Sequence, residues 1–538
     1  MRILSVLLRQ RARRDWLQLT LWVAGTAGLA TAAVAAVFET FGDEEDRREI
    51  LAVAVATRTI LIFRGTPNGV GDGAFAFFLM FSWIALMGGL MTTFLAVRHT
   101  RMEEERGRAE LVSATPAGRM LPLAATVIHG LLANAALGAL TAAGLTVAGL
   151  EPGGSVVFGI ALAATGVAFL GIGLLAAQLF RTPRGANGAS VAAVLAAYLL
   201  RGIGDAAGTP SADLMHVEPA WPALLSPIGY GQLTGAYVEN DLTPLIVPVA
   251  FGALLVALVF GLQAVRDQGA SLVRAGAGRA RAGLLLRSSG GLAWRLSLPV
   301  LAAWAAGGIA TGLLATSLTG AIDQLAGDVP AVVETLQRTI GADASIEEAF
   351  VGTFYGMVGI LAACCAVQVG LRARQEETHG TADAVLATPV SRVRWLAEYG
   401  AVGAIVVIVV LAAAGAAGAL GATATDRAES LVPLVIEAAA AQAPAAAVFL
   451  GVTLVGVALL PRPITALAWA LVGLAAVVGF FGPLFGLPDG VVDLSPFAHS
   501  PVPAGGDTDW TGGIWMLGVA AALTAAALAA MRRRELAG

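Results

Sequence analysis

Residues 98–119 read RHTRMEEERGRAELVSATPAGR, and residues 371–392 read LRARQEETHGTADAVLATPVSR. Aligned without gaps at an offset of 273, ten of the 22 positions are identical, and Glu110 is matched by Asp383. Biased composition alone gives about two or three matches over such a length, so the two stretches read as one segment used twice. Outward from them, apolar runs of span length lie at roughly 16–38, 74–97, 120–148, 156–180, 189–207 and 244–265. A second set lies at roughly 296–318, 350–371, 394–420, 438–460, 464–486 and 511–531. Each charged copy therefore falls between the second and third run of its half. Of the 538 residues, 57% are hydrophobic and 13% charged, where soluble domains run at roughly 45–50% and about 25%. That composition excludes a soluble globular protein and a disordered one. The runs are continuous rather than alternating, which predicts an all-α polytopic membrane protein of about twelve transmembrane helices rather than a barrel.

Two halves of an even number of spans share one membrane orientation, so the expected architecture is two parallel six-helix repeats with a pathway between them. The halves are read as residues 1–265 and 296–538, joined by an Arg-, Gly- and Ser-rich cytoplasmic linker at 266–295. The end of that linker restarts the N-terminal pattern, with Leu8, Arg9 and Trp16 recurring as Leu286, Arg287 and Trp294. A second internal match precedes the last span of each half, LLSPIGY at 224–230 and DLSPFAH at 493–499. All 33 basic residues are arginine. Counting alternate sides puts 26 arginines on the face that holds both termini and 7 on the other, while 26 of the 37 acids lie opposite. The positive-inside rule then places both termini in the cytoplasm. Residues 1–14 carry five arginines and no small-residue cleavage site; they read as an interfacial amphipathic helix or as a simple basic anchor.

Acids on a cytoplasmic loop oppose the usual basic bias, so the repeated segment needs a physical reason. In a helix, Glu103, Gly107 and Glu110 share one face, as do Glu376, Gly380 and Asp383. Each face would present two carboxylates flanking a glycine where a partner's backbone could approach. Thr-Pro at 115–116 and 388–389 ends the helix, leaving Arg119 and Arg392 at the membrane boundary. A phosphate-binding P-loop needs a lysine, and the chain has none, so no such ATPase is expected within it. HExxH and nucleophile-elbow motifs are missing too. The five histidines, at 99, 129, 216, 379 and 499, are scattered, and no metal site or catalytic residue is expected. Cys364 and Cys365 are adjacent in an apolar run and read as buried thiols.

The pattern RxxxEEExGRAELxxATPxxR, followed by EExxGTADxVLATPVSR, resembles the permease subunits of type-2 ABC exporters, in particular the actinobacterial polyketide (tetronasin-like) antibiotic exporters. The resemblance covers the whole chain. It implies that residues 98–119 and 372–392 are coupling helices docking on two copies of a separate P-loop ATPase, which would hold the ATP and Mg. Glu103, Glu104, Gly107 and Glu110, with Glu376, Glu377, Gly380 and Asp383, would lie in that contact. The second copy departs from the first, with Thr378, Thr381 and Asp383 where the first has Glu105, Arg108 and Glu110. Ser226, Pro227, Ser495 and Pro496 would belong to extracellular re-entrant elements. The substrate pathway would run past the second and eighth spans, where Phe77, Phe78, Phe81, Trp83, Met87, Phe354, Tyr355 and Met357 offer an adaptable apolar surface. The implied activity is ATP-driven export of hydrophobic compounds, antibiotics among them, by alternating access across the bacterial plasma membrane, with no nucleic-acid partner. The alternative is a proton-driven secondary multidrug transporter with two six-helix repeats, which would need an ionisable group inside a span. A membrane enzyme acting on lipid-linked substrates would have only the external acids of GDEEDRRE at 42–49 to work with, and these read as a solvated loop.

Overall fold

In lipid a backbone N–H or C=O has no water to bond, so a long apolar run closes its hydrogen bonds internally as a helix. The computed structural model of the chain is built on such helices. It describes all residues except 1, 41, 268, 274–282, 318–345, 426, 461, 483–486, 504–507 and 535–538. Eleven helices among the described residues are long and apolar enough to cross a membrane, and Ile464–Phe480 is a shorter apolar one. The chain is thus an all-α polytopic membrane protein. It divides into two compact units, Met1–Ala277 and Gly278–Gly538.

The first unit holds α1 (Arg2–Thr40), α2 (Asp72–Arg98), α3 (Met120–Val147), α4 (Pro152–Leu179), α5 (Pro183–Ala206) and α6 (Ile246–Val265). The α1 helix is continuous from Arg2, so the basic N-terminal stretch is the first turns of the span rather than a separate interfacial helix. The acidic stretch at 42–49, expected as a solvated loop, is helical from Glu44 onward, as the start of the helix Glu44–Ala56. Its Arg47 is buried, bonding Val70 O and Gly42 O at 2.8 Å and Asp72 at 2.9 Å. A two-stranded pairing of Thr209–Pro210 with Val217–Glu218 closes the same end. Glu151 starts α4 by accepting the N–H groups of Gly153 and Gly154 at 2.7 and 2.5 Å, and those bonds hold its carboxyl below the ordinary glutamate range. α3 and α4 cross at backbone contact. A Cβ on Gly138 would lie 2.3 Å from the Gly159 carbonyl oxygen, so only glycine fits there.

The second unit holds α7 (Ser289–Ser317), α8 (Ile346–Thr378), α9 (Arg392–Ala422), α10 (Ala443–Leu459), α11 (Ile464–Ala476) and α12 (Thr511–Met531). The expected single span at 438–460 is preceded by a separate helix, Ala428–Ala440, because Pro444 removes a donor at the start of α10. α11 runs into a π-helical turn at Val477–Phe481, shortening the expected span at 464–486. Its core centres on Tyr355, Trp395, Val406, Phe449 and Leu454.

Candidate functional site

In the first unit, α2 ends at His99 and the chain continues as two short helices, Arg101–Glu105 and Arg108–Ser113. Gly107 lies between them with φ 68° and ψ 4°; in the second unit Gly380 has φ 68° and ψ 6° before the short helix Thr381–Leu386. An L-residue pays about 1 kcal/mol or more in this left-handed region, which explains glycine at both places. The geometry overturns the expectation of one helical face. The left-handed residue redirects the chain, so Glu103 and Glu110 belong to different helices, as do Glu376 and Asp383. Glycine serves here as a bend in the backbone.

Glu103 and Glu104 turn inward. Glu103 pairs with Arg14 of α1 at 2.7 Å and with Arg108 at 3.5 Å. Glu104 is bound by Arg101 at 2.7 Å and by Arg266, just past the end of α6, at 2.5 Å. Arg101 also donates to Ala177 O in the last turns of α4 and to Ala270 O, both at 2.9 Å. Arg119 donates to Arg266 O at 3.1 Å and Ala264 O at 2.9 Å. The arginines thereby satisfy carbonyls left open at two helix C-termini. The second unit repeats these roles. Glu377 pairs with Arg374 at 2.9 Å and with Arg534, just past the end of α12, at 3.0 Å. Arg392 donates to Arg534 O, and Arg534 to Val457 O near the end of α10, both at 2.6 Å. Glu376, by contrast, pairs within its own helix with Arg372 at 3.2 Å and accepts from Thr381.

What these clamps leave exposed is the tip of each segment: Glu105, Arg106, Glu110 and Leu111 in the first unit, and Thr378, His379, Asp383 and Ala384 in the second. Sequence reasoning missed Arg266 and Arg534 because they stand 268 residues apart, out of register with the offset of 273. Their position directly after the last span of each half was the available signal.

His99 and His129 are not scattered. Both reach Oδ2 of Asp15 on α1, His129 at 3.4 Å, and all three side chains are buried. Arg98 holds the other carboxylate oxygen at 3.0 Å. Asp15 was missed because the apolar run begins at residue 16, whereas the helix begins at Arg2. Beside this cluster, a cavity of about 370 Å³ is lined by Arg11, Arg14, His99, Glu103, Arg108 and Leu111, among others.

The aromatic candidates divide. Phe77, Phe78, Phe81 and Tyr355 are buried in helix packing. The Phe77 ring lies 4.7 Å from Phe81 and 5.4 Å from Phe158, and Tyr355 donates to Ala414 O at 3.1 Å. Phe354 is half-buried, 4.6 Å from Phe350. Trp83 and Met357 are exposed, and Met87 lines a recess with Leu21 and Trp22. Both Ser-Pro elements are capped turns resting on aromatic rings. Ser226 accepts from Ile228 N–H and Ser495 from Phe497 N–H, each at 3.2 Å. Pro227 starts the short helix Pro227–Gln232, whose Gly231 abuts Phe81, while Pro496 starts the turn that stacks Phe497 on Phe449 at 5.3 Å.

Residues 286–532 match the family model described as the C-terminal domain of the multidrug efflux system permease Rv1217c. Over 98% of its length the chain is 35% identical to the multidrug efflux system permease protein Rv1217c of Mycobacterium tuberculosis, covering 94% of that protein. A likeness at that level over two whole chains, on a fold of long apolar helices, makes this chain a member of the Rv1217c family of membrane permeases.

Proposed function

We propose that the chain is the transmembrane subunit of an ATP-driven exporter of hydrophobic compounds, working by alternating access with two copies of a separate ATPase subunit. ATP and Mg belong to that partner. The segments 98–119 and 372–392 are its docking elements, on the cytoplasmic side of the bacterial plasma membrane with both termini, and the two halves are parallel repeats of one six-helix plan. The relative's name as a multidrug efflux permease supports the transported class.

The observation that carries this reading is the recurring clamp. In each unit a glutamate next to an exposed tip is tied by one arginine of its own helix and one arginine after the last helix. A buried ion-pair network transmits displacement because breaking it strands a charge, at a cost of roughly 3–5 kcal/mol. A push on the tip is therefore passed to the ends of the second, third, fourth and sixth helices of that unit. Glu104 and Glu377 act in this reading as anchors behind the docking surface, and Glu105, Glu110, Leu111, His379 and Asp383 face the partner.

The test is purification of the tagged full chain from its native membrane, with mass spectrometry of what stays bound. Recovery of a P-loop ATPase at about two copies per chain is expected, with binding lost in Glu110→Arg/Asp383→Arg. A chain that purifies alone and exports only with a proton gradient would overturn the reading in favour of a secondary transporter.

A further inference from the structure

We infer that Asp15, His99 and His129 form a binding site for one divalent transition-metal ion of the zinc class, fastening α1 to α2 and α3. The three side chains come from α1, the C-terminal cap of α2, and α3, and are 2%, 4% and 6% exposed. Their donor atoms all lie within 4.8 Å of one another. Both imidazoles aim Nε2 at a single oxygen, Asp15 Oδ2, and the rings are perpendicular at 88° with centroids 5.4 Å apart. A tetrahedral ion with bonds of about 2.0–2.1 Å holds its ligands roughly 3.3 Å apart; the 3.4 Å between His129 and Asp15 meets that spacing, while His99, hydrogen-bonded directly to Oδ2, has to draw back to admit the ion.

The surroundings suit such an ion. Arg98 lies 3.0 Å from Oδ1 as an ion pair, which leaves Oδ2 as the carboxylate oxygen that faces both imidazoles. Arg11 is drawn aside, donating to Thr126 Oγ1 and Pro122 O at 2.8 Å each, and Arg14 is neutralised by Glu103. Two imidazoles and a carboxylate favour zinc-like ions over magnesium or calcium, which prefer all-oxygen sites. The cavity of about 370 Å³ reaches His99, providing an entry route and room for water as a fourth ligand. Two histidines on one oxygen also exceed what attachment of α1 requires, since Arg11 and Arg14 already tie that helix to its neighbours. The internal offsets place Ala293, Arg372 and Val402 at the matching positions of the second half, which therefore do not repeat the ligand set.

The full chain, purified in detergent without a polyhistidine tag and stripped with chelator, is titrated with Co²⁺ while the visible d–d bands of a four-coordinate ion are followed. About one equivalent per chain is expected, displaced by Zn²⁺ and lost in His129→Gln. In His129→Cys binding returns with a new thiolate charge-transfer band, an outcome independent of whether the glutamine variant folds. Bands missing from the wild-type protein, or unchanged in His129→Gln, would overturn the inference and leave a hydrogen-bonded packing cluster.

Discussion

The two charged segments share a clamp and differ in what else holds them. Glu104 and Glu377 are bound alike, each by an arginine three residues before it and by one beyond the last helix of the unit. In the first unit, however, α1 also grips the segment: Arg14 takes Glu103, Asp15 takes Arg98 and His99, and Arg11 takes Thr126 of α3. In the second unit Leu371 and Arg372 stand where Arg98 and His99 stand in the first, and Arg372 closes on Glu376 within its own helix. α7 is tied to α8 through Trp304, which donates to Gln368 at 2.7 Å. The lesson is that the part of a repeated segment bound to its own unit's last helix keeps its geometry, while the part facing the first helix is free to diverge. The tip of the first unit is consequently expected to be the stiffer of the two.

The largest effects should come from emptying the clamps. Glu104→Ala leaves Arg101 and Arg266 buried without their carboxylate and should cost about 3–5 kcal/mol. Glu377→Ala should cost less, about 1.5–3 kcal/mol, because its arginines are partly exposed. Thermal unfolding in detergent compares them, and a larger loss at Glu377 breaks the assigned order of stiffness. Next in size is the first-helix grip. Asp15→Ala should destabilise by about 1–3 kcal/mol by orphaning Arg98, against about 1 kcal/mol for Trp304→Phe in the second unit. Equal effects of this pair would remove the asymmetry.

Gly107→Ala and Gly380→Ala probe what the units share. Open space surrounds both positions, so each variant should lose only the left-handed backbone term, about 1–2 kcal/mol, and by the same amount. Unequal shifts in melting temperature would mean that the tips are not equivalent in backbone. The smallest effect concerns acid. Glu151 caps α4, whereas Gln442 before α10 makes no side-chain cap bond. The Glu151 carboxyl is lowered by its two backbone N–H donors, so its contribution is present above the ordinary glutamate range and is lost as pH falls through the lowered value. Hydrogen exchange at Gly153 and Gly154 should therefore speed up on acidification, with no matching change at the start of α10.

Helix positions were legible because each long apolar run has one way to satisfy its backbone in lipid, and the runs at 74–97, 120–148 and 511–531 return as α2, α3 and α12 within a few residues. Boundaries failed where polar residues continue a helix, as at Arg2–Asp15, or where a proline divides a run, as at Pro444. Within the site, Glu103, Glu104 and their counterparts were legible as a repeated constellation, but their direction was not. Glu104 points at Arg266 across 162 residues, a partnership that no local spacing encodes.

By itself the sequence determined a polytopic helical protein, two matching charged segments and the lack of a lysine for any P-loop, since hydropathy, identity and composition are properties of residues in order. The tertiary structure alone decided which carboxylates are anchors and which face outward, that Gly107 and Gly380 bend the chain, and that Asp15 gathers two histidines. Those depend on which helix ends meet in space, because a carboxylate and a guanidinium bind only when packing brings them within about 3 Å.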